Sequence, residues 1–241
     1  MIEAALTHLQ APFRMNGPEP RPSLPALGQL PLRLRTFRWL LSETWPQAKG
    51  KRLLDLGAGP GLFARIASRH GFSVTAVDAR MPWTAADIEA GQSSAGSGPV
   101  FEDDEFLFIQ KDLRDVDDLS GFDVIACIGV LYHLPFADQR DLLARCAARA
   151  MVIDTEIYDA SRIPESEASR FRPATVAGGY SGAFCREQGQ VYSSHGDALS
   201  FWFDQDSILR FFADAGCSRV TMVEPQYFSA FGPRRWFVLN G

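Results

Sequence analysis

The sequence has no C-x-x-C pair, and its four cysteines, Cys127, Cys146, Cys185 and Cys217, lie far apart. That excludes the close cysteine pairing of dithiol and zinc motifs and predicts free thiols in a reducing, cytoplasmic setting. No apolar run approaches the roughly 18 residues that a membrane helix needs. The N-terminus lacks the basic region and apolar core of a signal peptide. No internal repeat is visible. Positive charge is not in excess either: 24 Lys and Arg against 29 Asp and Glu give a formal net charge of −5, which argues against a large nucleic-acid footprint. What is present is an ordinary globular composition, 46% hydrophobic over 241 residues. That is enough for one domain with an elaboration.

The most informative stretch is Leu53-Leu-Asp-Leu-Gly-Ala-Gly-Pro-Gly61. A short apolar run carrying Asp55 is strand-like, and after the glycines Leu62, Ile66 and Ala67 recur at helical spacing. Strand, tight turn and helix follow one another. Gly57, Gly59 and Gly61 allow positive φ and close approach of a ligand to the bare backbone. The helix N-terminus offers unsatisfied N–H groups to a negative group. The order G-x-G-x-G, with Leu62 where a third dinucleotide glycine would fall, departs from the dinucleotide fingerprint. A carboxylate at Asp55 would repel a pyrophosphate and suits a cationic ligand portion.

The rest of the chain alternates. Residues 1–32 form a proline-rich arm that cannot be a regular helix and is expected to wrap the surface or be partly disordered. Residues 33–45 are helical, with Leu34, Phe37, Leu41 and Trp45 on one face. Strands are expected near 52–57, 73–78, 105–110, 122–128 and 150–157, with helices closing at Gly71 and over 138–149. Residues 91–99 are a Gly/Ser/Ala-rich loop. This alternation predicts a parallel sheet covered on both faces. Residues 158–203 break the alternation and show little periodicity, so they are expected to form a substrate-side insertion, or cap. A helix capped by Asp204 or Asp206 and ended by Gly216 follows, with final strands near 218–224 and 234–239.

The glycine turn with Asp55, together with Phe122-Asp-Val-Ile-Ala-Cys-Ile-Gly-Val-Leu-Tyr-His-Leu134, resembles the class I S-adenosylmethionine-dependent methyltransferases. Their first motif has the form D-x-G-x-G-x-G, and their fourth strand often ends in V-L-x-H-L. The resemblance covers residues 52–157 well and the last 40 more loosely. It implies an α/β fold: a doubly wound, seven-stranded, mostly parallel Rossmann-like sheet with one antiparallel strand in a final hairpin. It also implies S-adenosyl-L-methionine as cofactor.

Asp78 ends a strand beside the turn, where a carboxylate can accept both hydroxyls of a ribose, since ligands of such sheets lie outside the strands' carboxyl ends. Ala58 and Ala79 flank these positions. The resemblance further implies that Asp112 receives the adenine amino group and Leu113 meets the ring by its backbone. Ile128 and Gly129 would line the cofactor, and Tyr132 and His133 would face the substrate. Arg35 would hold the methionine carboxylate, with Arg33 and Arg38 as competitors for that role; a guanidinium fork matches a carboxylate. Asp112 has a purely local alternative as a helix cap.

An imidazole suits proton removal at neutral pH, which makes His133 the candidate general base, with Glu156 as a second acceptor. Packing is the competing role for His133. Tyr180, Glu187, Tyr192, His195 and Trp202 in the insertion are candidate pocket groups, whereas the Phe201–Phe203 run belongs in the core. The expected reaction is methyl transfer to a small molecule, most favourably at oxygen, with no metal, nucleic acid or membrane partner required. The Gly-Val-Leu-Tyr-His run also resembles the tRNA wobble-uridine carboxymethyl-transferring family. A protein that binds the cofactor without catalysis is a third reading. The oligomeric state is not written in the sequence.

Overall fold

The computed structural model describes residues 4–15, 30–80, 105–188, 196–229 and 231–240. The loop expected at 91–99 lies outside them.

The chain order is β1 (Ala5–Gln10), α1 (Leu30–Thr44), β2 (Arg52–Leu56), α2 (Leu62–His70), β3 (Ser73–Asp78), β4 (Leu107–Gln110), β5 (Val124–Ile128), α3 (Phe136–Cys146), β6 (Ala150–Glu156), α4 (Glu165–Ala168), β7 (Phe171–Val176), β8 (Tyr180–Arg186), β9 (Leu199–Phe203), α5 (Gln205–Asp214), β10 (Arg219–Glu224), β11 (Tyr227–Ser229) and β12 (Gly232–Asn240). Short 3-10 turns cover Leu113–Asp115 and Leu131–His133.

The main sheet runs β1-β10-β12-β6-β5-β2-β3-β4, with β11 paired to β12. The strands from β6 through β5, β2 and β3 to β4 are parallel. β12 is antiparallel to both β6 and β10, which makes the expected final hairpin. The seven core strands are therefore extended by two. β1 pairs in parallel with β10, so part of the proline-rich arm is a sheet strand and not only a surface wrap. Its prolines begin after Gln10, which leaves the backbone N–H groups of Ala5–Gln10 available to the ladder.

The central strands read as continuous apolar runs because both faces are covered. All of Val124–Ile128 is buried. One face packs Leu53, Val124, Ala126 and Val152 against Phe37, Leu40 and Leu41 of α1 and Phe63, Ala64 and Ala67 of α2. The other packs Leu54, Ile125, Cys127 and Ile153 against Leu142 and Leu143 of α3 and Ile208, Phe211 and Phe212 of α5. The Asp204 side chain accepts from the Ser207 amide at 2.7 Å and caps α5. Gly71 at φ 113° closes α2.

Residues 158–203 are not featureless. They contain α4 and a separate antiparallel sheet in the order β7-β8-β9. Phe201 and Phe203 enter the core, packed with Phe136 and Phe211. Ser200 and Trp202 lie on the opposite face of β9, by strand alternation.

Candidate functional site

The C-terminal ends of β2, β3, β4 and β5 converge on one edge of the sheet, where ligands of open α/β sheets bind. Gly57, Gly59 and Gly61 all adopt positive φ (71°, 53° and 72°). A side chain at Gly57 would collide with Val130, and one at Gly61 with the Phe106 ring. The Gly57 and Ala58 amides donate to the Val77 carbonyl. Asp78 fixes the turn from the next strand: its carboxylate accepts from the Gly59 amide at 2.8 Å and from the Arg80 amide at 2.9 Å. Ala79 follows it, half-buried.

Asp55 lies beneath the turn, 1% exposed. The Ala64 amide in the first turn of α2 hydrogen-bonds it, while Oδ2 has no partner among the described residues. Burial first, and the nearby Asp78 charge second, push its carboxyl up to about 7. A carboxyl raised in the folded state stabilises the fold fully below its ordinary value near 3.9, and that contribution is lost as pH rises to about 7. Asp55→Asn should therefore raise the thermal midpoint at pH 8 and leave it nearly unchanged at pH 4. Equal shifts at the two pH values would refute the assignment.

At the end of β5, Ile128 is buried and Gly129 has φ 78°. A Cβ at Gly129 would meet the guanidinium groups of Arg33 and Arg234. Arg33, not Arg35, is the arginine of α1 that reaches the site. It donates from Nε to Asp154 at 2.7 Å and lies over the Phe63 ring. Arg35 sits 4.1 Å over the Phe13 ring. The reason is helical phase: Arg33 shares a face with buried Phe37, and two residues further on the helix has turned about 200°.

Arg234 completes a buried network that the sequence reading missed. It donates to Asp154 through Nε (2.9 Å) and Nη2 (3.0 Å), and through Nη1 to Glu156 (2.6 Å) and Tyr132 Oη (3.2 Å). Tyr227 donates to Asp154 at 2.6 Å, and Ser229 to Glu156 at 2.9 Å. The antiparallel register sets Arg234 directly opposite Glu156. Burial would raise the Asp154 carboxyl, but Arg234 and Arg33 overcome it and hold that group below its ordinary value. Glu156 is raised, with burial outweighing Arg234. Glu156 thus belongs to the network and is not an uncommitted base.

Other expected residues take local roles. Asp112 caps the Leu113–Asp115 turn through the Arg114 amide and pairs with the Arg114 guanidinium at 2.7 Å, which also reaches Asp138 and Asp197. Leu113 is buried in the core. Tyr180 packs on Phe136, Phe203 and Phe211 and donates to Asp214 at 2.6 Å, so it is a core residue of the insertion. Burial, then Asp214, pushes its phenol up to about 12. His195 and Tyr192 lie outside the described residues.

His133 and the insertion do meet. His133 Nδ1 is 3.1 and 3.2 Å from the two carboxylate oxygens of Glu187. The Tyr132 ring lies 4.2 Å from the imidazole and 5.1 Å from Trp202, edge-on to the indole, with Arg234 over its face. Trp202 is 3% exposed. A separate open cleft of about 790 Å³ is lined by Tyr158, Asp159, Pro173, Asp204 and Gln226 among others; neither the glycine turn nor Asp78 nor His133 borders it. Among the described residues no cluster of His, Cys, Asp or Glu could hold a metal ion, and no helix is long and apolar enough to cross a membrane.

The chain is similar to several known proteins. The ubiquinone biosynthesis O-methyltransferase of Coxiella burnetii is 31% identical over 104 residues, 42% of this chain and 39% of the relative. The mitochondrial enzyme of the same description from Schizosaccharomyces pombe is 34% identical over 85 residues, 35% of this chain and 29% of the relative. The chain thus spans about two fifths or less of these relatives' length. Among solved structures, the N-terminal domain of EvdMO1 with SAH bound superposes with a TM-score of 0.61 at 20% identity, covering 87% of this chain and 81% of that one. The 1,6-didemethyltoxoflavin-N1-methyltransferase of Burkholderia thailandensis gives 0.54 at 16% identity, over 86% and 78%. These superpositions show a shared fold. The family model described as a methyltransferase domain matches residues 28–222, most of the chain, so the protein belongs to the methyltransferase domain family.

Proposed function

We propose that this protein transfers a methyl group from S-adenosyl-L-methionine to an oxygen of a small-molecule acceptor. The observation that carries the reading is the convergence at one sheet edge of the positive-φ glycine turn, Asp78 tied to Gly59, and Gly129 beside the Arg33 guanidinium, with His133 close by. The residues fit the cofactor chemically. The unpartnered Asp55 Oδ2 beneath the turn suits a positive charge above it. Asp78 ends β3 beside the turn, outside the carboxyl end of the strand, where a carboxylate would meet ribose hydroxyls. Gly57, Ala58, Gly59, Gly61 and Ala79 would bring backbone to the ligand. Ile128 and Gly129 would flank it, Arg33 would meet its carboxylate, and the Asp112–Leu113 segment would border the adenine.

When bound, the cofactor supplies an activated methyl on its sulfonium. The chain's own task is then to align the acceptor, exclude water and take up a proton. Such positioning is worth roughly 7–11 kcal/mol of barrier. Residues 158–203 serve as the cap over the acceptor: their small sheet sets Trp202 against Tyr132 and Glu187 against His133. Tyr132 and Trp202 form an apolar wall, and His133 removes the hydroxyl proton. The relatives described as O-methyltransferases support oxygen as the methylated atom.

Calorimetry tests this reading. S-adenosylmethionine and its demethylated product should both bind, and NADH should not. Asp78→Ala should weaken cofactor binding by roughly 1.5–3 kcal/mol, the scale of a hydrogen bond to a charged group. Unchanged affinity in a folded variant would remove Asp78 from the site.

A further inference from the structure

We propose that Glu187, delivered by the inserted sheet, is the positioning residue of the active site: it fixes the ring orientation and the tautomer of His133. The inference rests on the reading of His133 as the proton acceptor and adds to it the group that makes the imidazole competent. The geometry is specific. Glu187 lies 54 residues from His133, its side chain is 2% exposed, and both of its oxygens lie within 3.2 Å of the same ring nitrogen, Nδ1. An ionised carboxylate only accepts hydrogen bonds. The proton of the neutral ring is therefore held on Nδ1, and the lone pair is left on Nε2. The His133 side chain is 16% exposed, so the ring is neither sealed in the core nor loose in solvent. Tyr132 packs against it with the rings tilted 40° apart. Arg80, half-buried after the end of β3, feels the charges of both Asp78 and Glu187.

The bond balance is simple. The acceptor's O–H proton passes to Nε2. The oxygen's electron pair forms the new O–CH3 bond, and the pair of the broken C–S bond stays on sulfur. The charge left on the imidazole lies against Glu187. This division of labour, one group reacting and a buried carboxylate orienting it, recurs on unrelated folds.

The inserted sheet is docked by contacts other than the Glu187 side chain. The Phe201 amide donates to the Leu134 carbonyl, and Gln139 Nε2 donates to both the Leu134 and Phe201 carbonyls. Glu187→Gln is therefore expected to fold.

The test is histidine ring ¹⁵N NMR on the full chain with S-adenosylhomocysteine added. Among the chain's four histidines, His133 is assigned by loss of its signals in His133→Asn. In the native protein the proton of neutral His133 should reside on Nδ1. In Glu187→Gln that preference should collapse to a mixture or reverse, and Glu187→Asp should restore part of it. Affinity for S-adenosylhomocysteine should stay within about twofold of native, the scale of additivity between separate sites. A native His133 protonated on Nε2, or a tautomer ratio unchanged in Glu187→Gln, overturns the proposal, and the native spectrum alone decides the first point whatever the variant does. Loss of cofactor binding by the native protein would instead overturn the proposed function, so the two failures are told apart.

Discussion

Replacing Arg234 by Met should cost about 3–5 kcal/mol of folding stability, the usual consequence of removing one partner from a buried ionic network. Arg234 is 5% exposed and holds Asp154, which is 0% exposed, and Glu156, which is 2% exposed. Its guanidinium makes two bonds to the first and one to the second. Met keeps most of the stem and removes the charge. Asp154 would then rely on Arg33 and Tyr227, and Glu156 on Ser229. Urea denaturation monitored by fluorescence would measure the loss, and a value under about 1 kcal/mol would mean that the network is hydrated or adaptable. A double replacement, Arg234→Met with Glu156→Gln, should recover part of it, because the second change removes one of the charges left uncompensated.

The network also has a pH signature. The folded Asp154 carboxyl is held below its ordinary value, by Arg234 and Arg33 against the opposing effect of burial. A depressed carboxyl contributes stability that is present above its unfolded value near 3.9 and lost as pH falls through the folded value. With Arg234 gone, burial is less opposed and this contribution shrinks, so the stability difference between native and variant should be largest near neutral pH and narrow as pH falls through the folded Asp154 value.

This network shows why part of the site was legible in the sequence and part was not. The glycine turn, Asp78 and the end of β5 are local: each lies within a strand and the turn after it, and a spacing rule finds it. The interior of the sheet was equally readable, because strands buried on both faces are continuous apolar runs. The network is not local. Arg234 and Asp154 are 80 residues apart and meet only because β12 inserts antiparallel beside β6. One signal was present. Ala150-Met-Val-Ile-Asp-Thr-Glu156 is a buried strand that carries two acids, and buried acids require cations. That signal says a cation must come, but not which.

Arg33 and Arg35 were separable only by the phase of α1, which the buried positions Leu32, Thr36, Phe37, Leu40 and Leu41 define. The inserted sheet was hidden for a different reason. Pro173 in β7 and the small residues Ser181, Gly182 and Ala183 in β8 blur the alternation that marks a strand. Gly182 is small because the facing strand leaves no room: it pairs with Phe203, and a Cβ there would strike the carbonyl of the preceding Trp202.

The second large effect is expected at His133. His133→Ala should leave cofactor affinity nearly unchanged, since the turn and Asp78 do not depend on the imidazole, while methyl transfer to a hydroxyl acceptor should fall by about 10² or more, the range of general-base catalysis. The geometry gives this expectation its force. The 3-10 turn that carries the ring begins two residues after Gly129, and the His133 amide closes it by donating to the Val130 carbonyl at 2.9 Å. The proposed base is thereby tied to the same segment that would flank the methyl donor. Both Glu187 oxygens lie within 3.2 Å of the imidazole Nδ1, the contact on which the proposed orientation of the ring rests. A packing role makes a different forecast: His133→Ala would lower stability or raise KM and leave kcat in place. Single-turnover kinetics at saturating cofactor separates the two, because it reads the chemical step apart from acceptor binding. A variant with native single-turnover rate would assign the proton to solvent or to the acceptor's own acidity, and proximity alone would then carry the reaction.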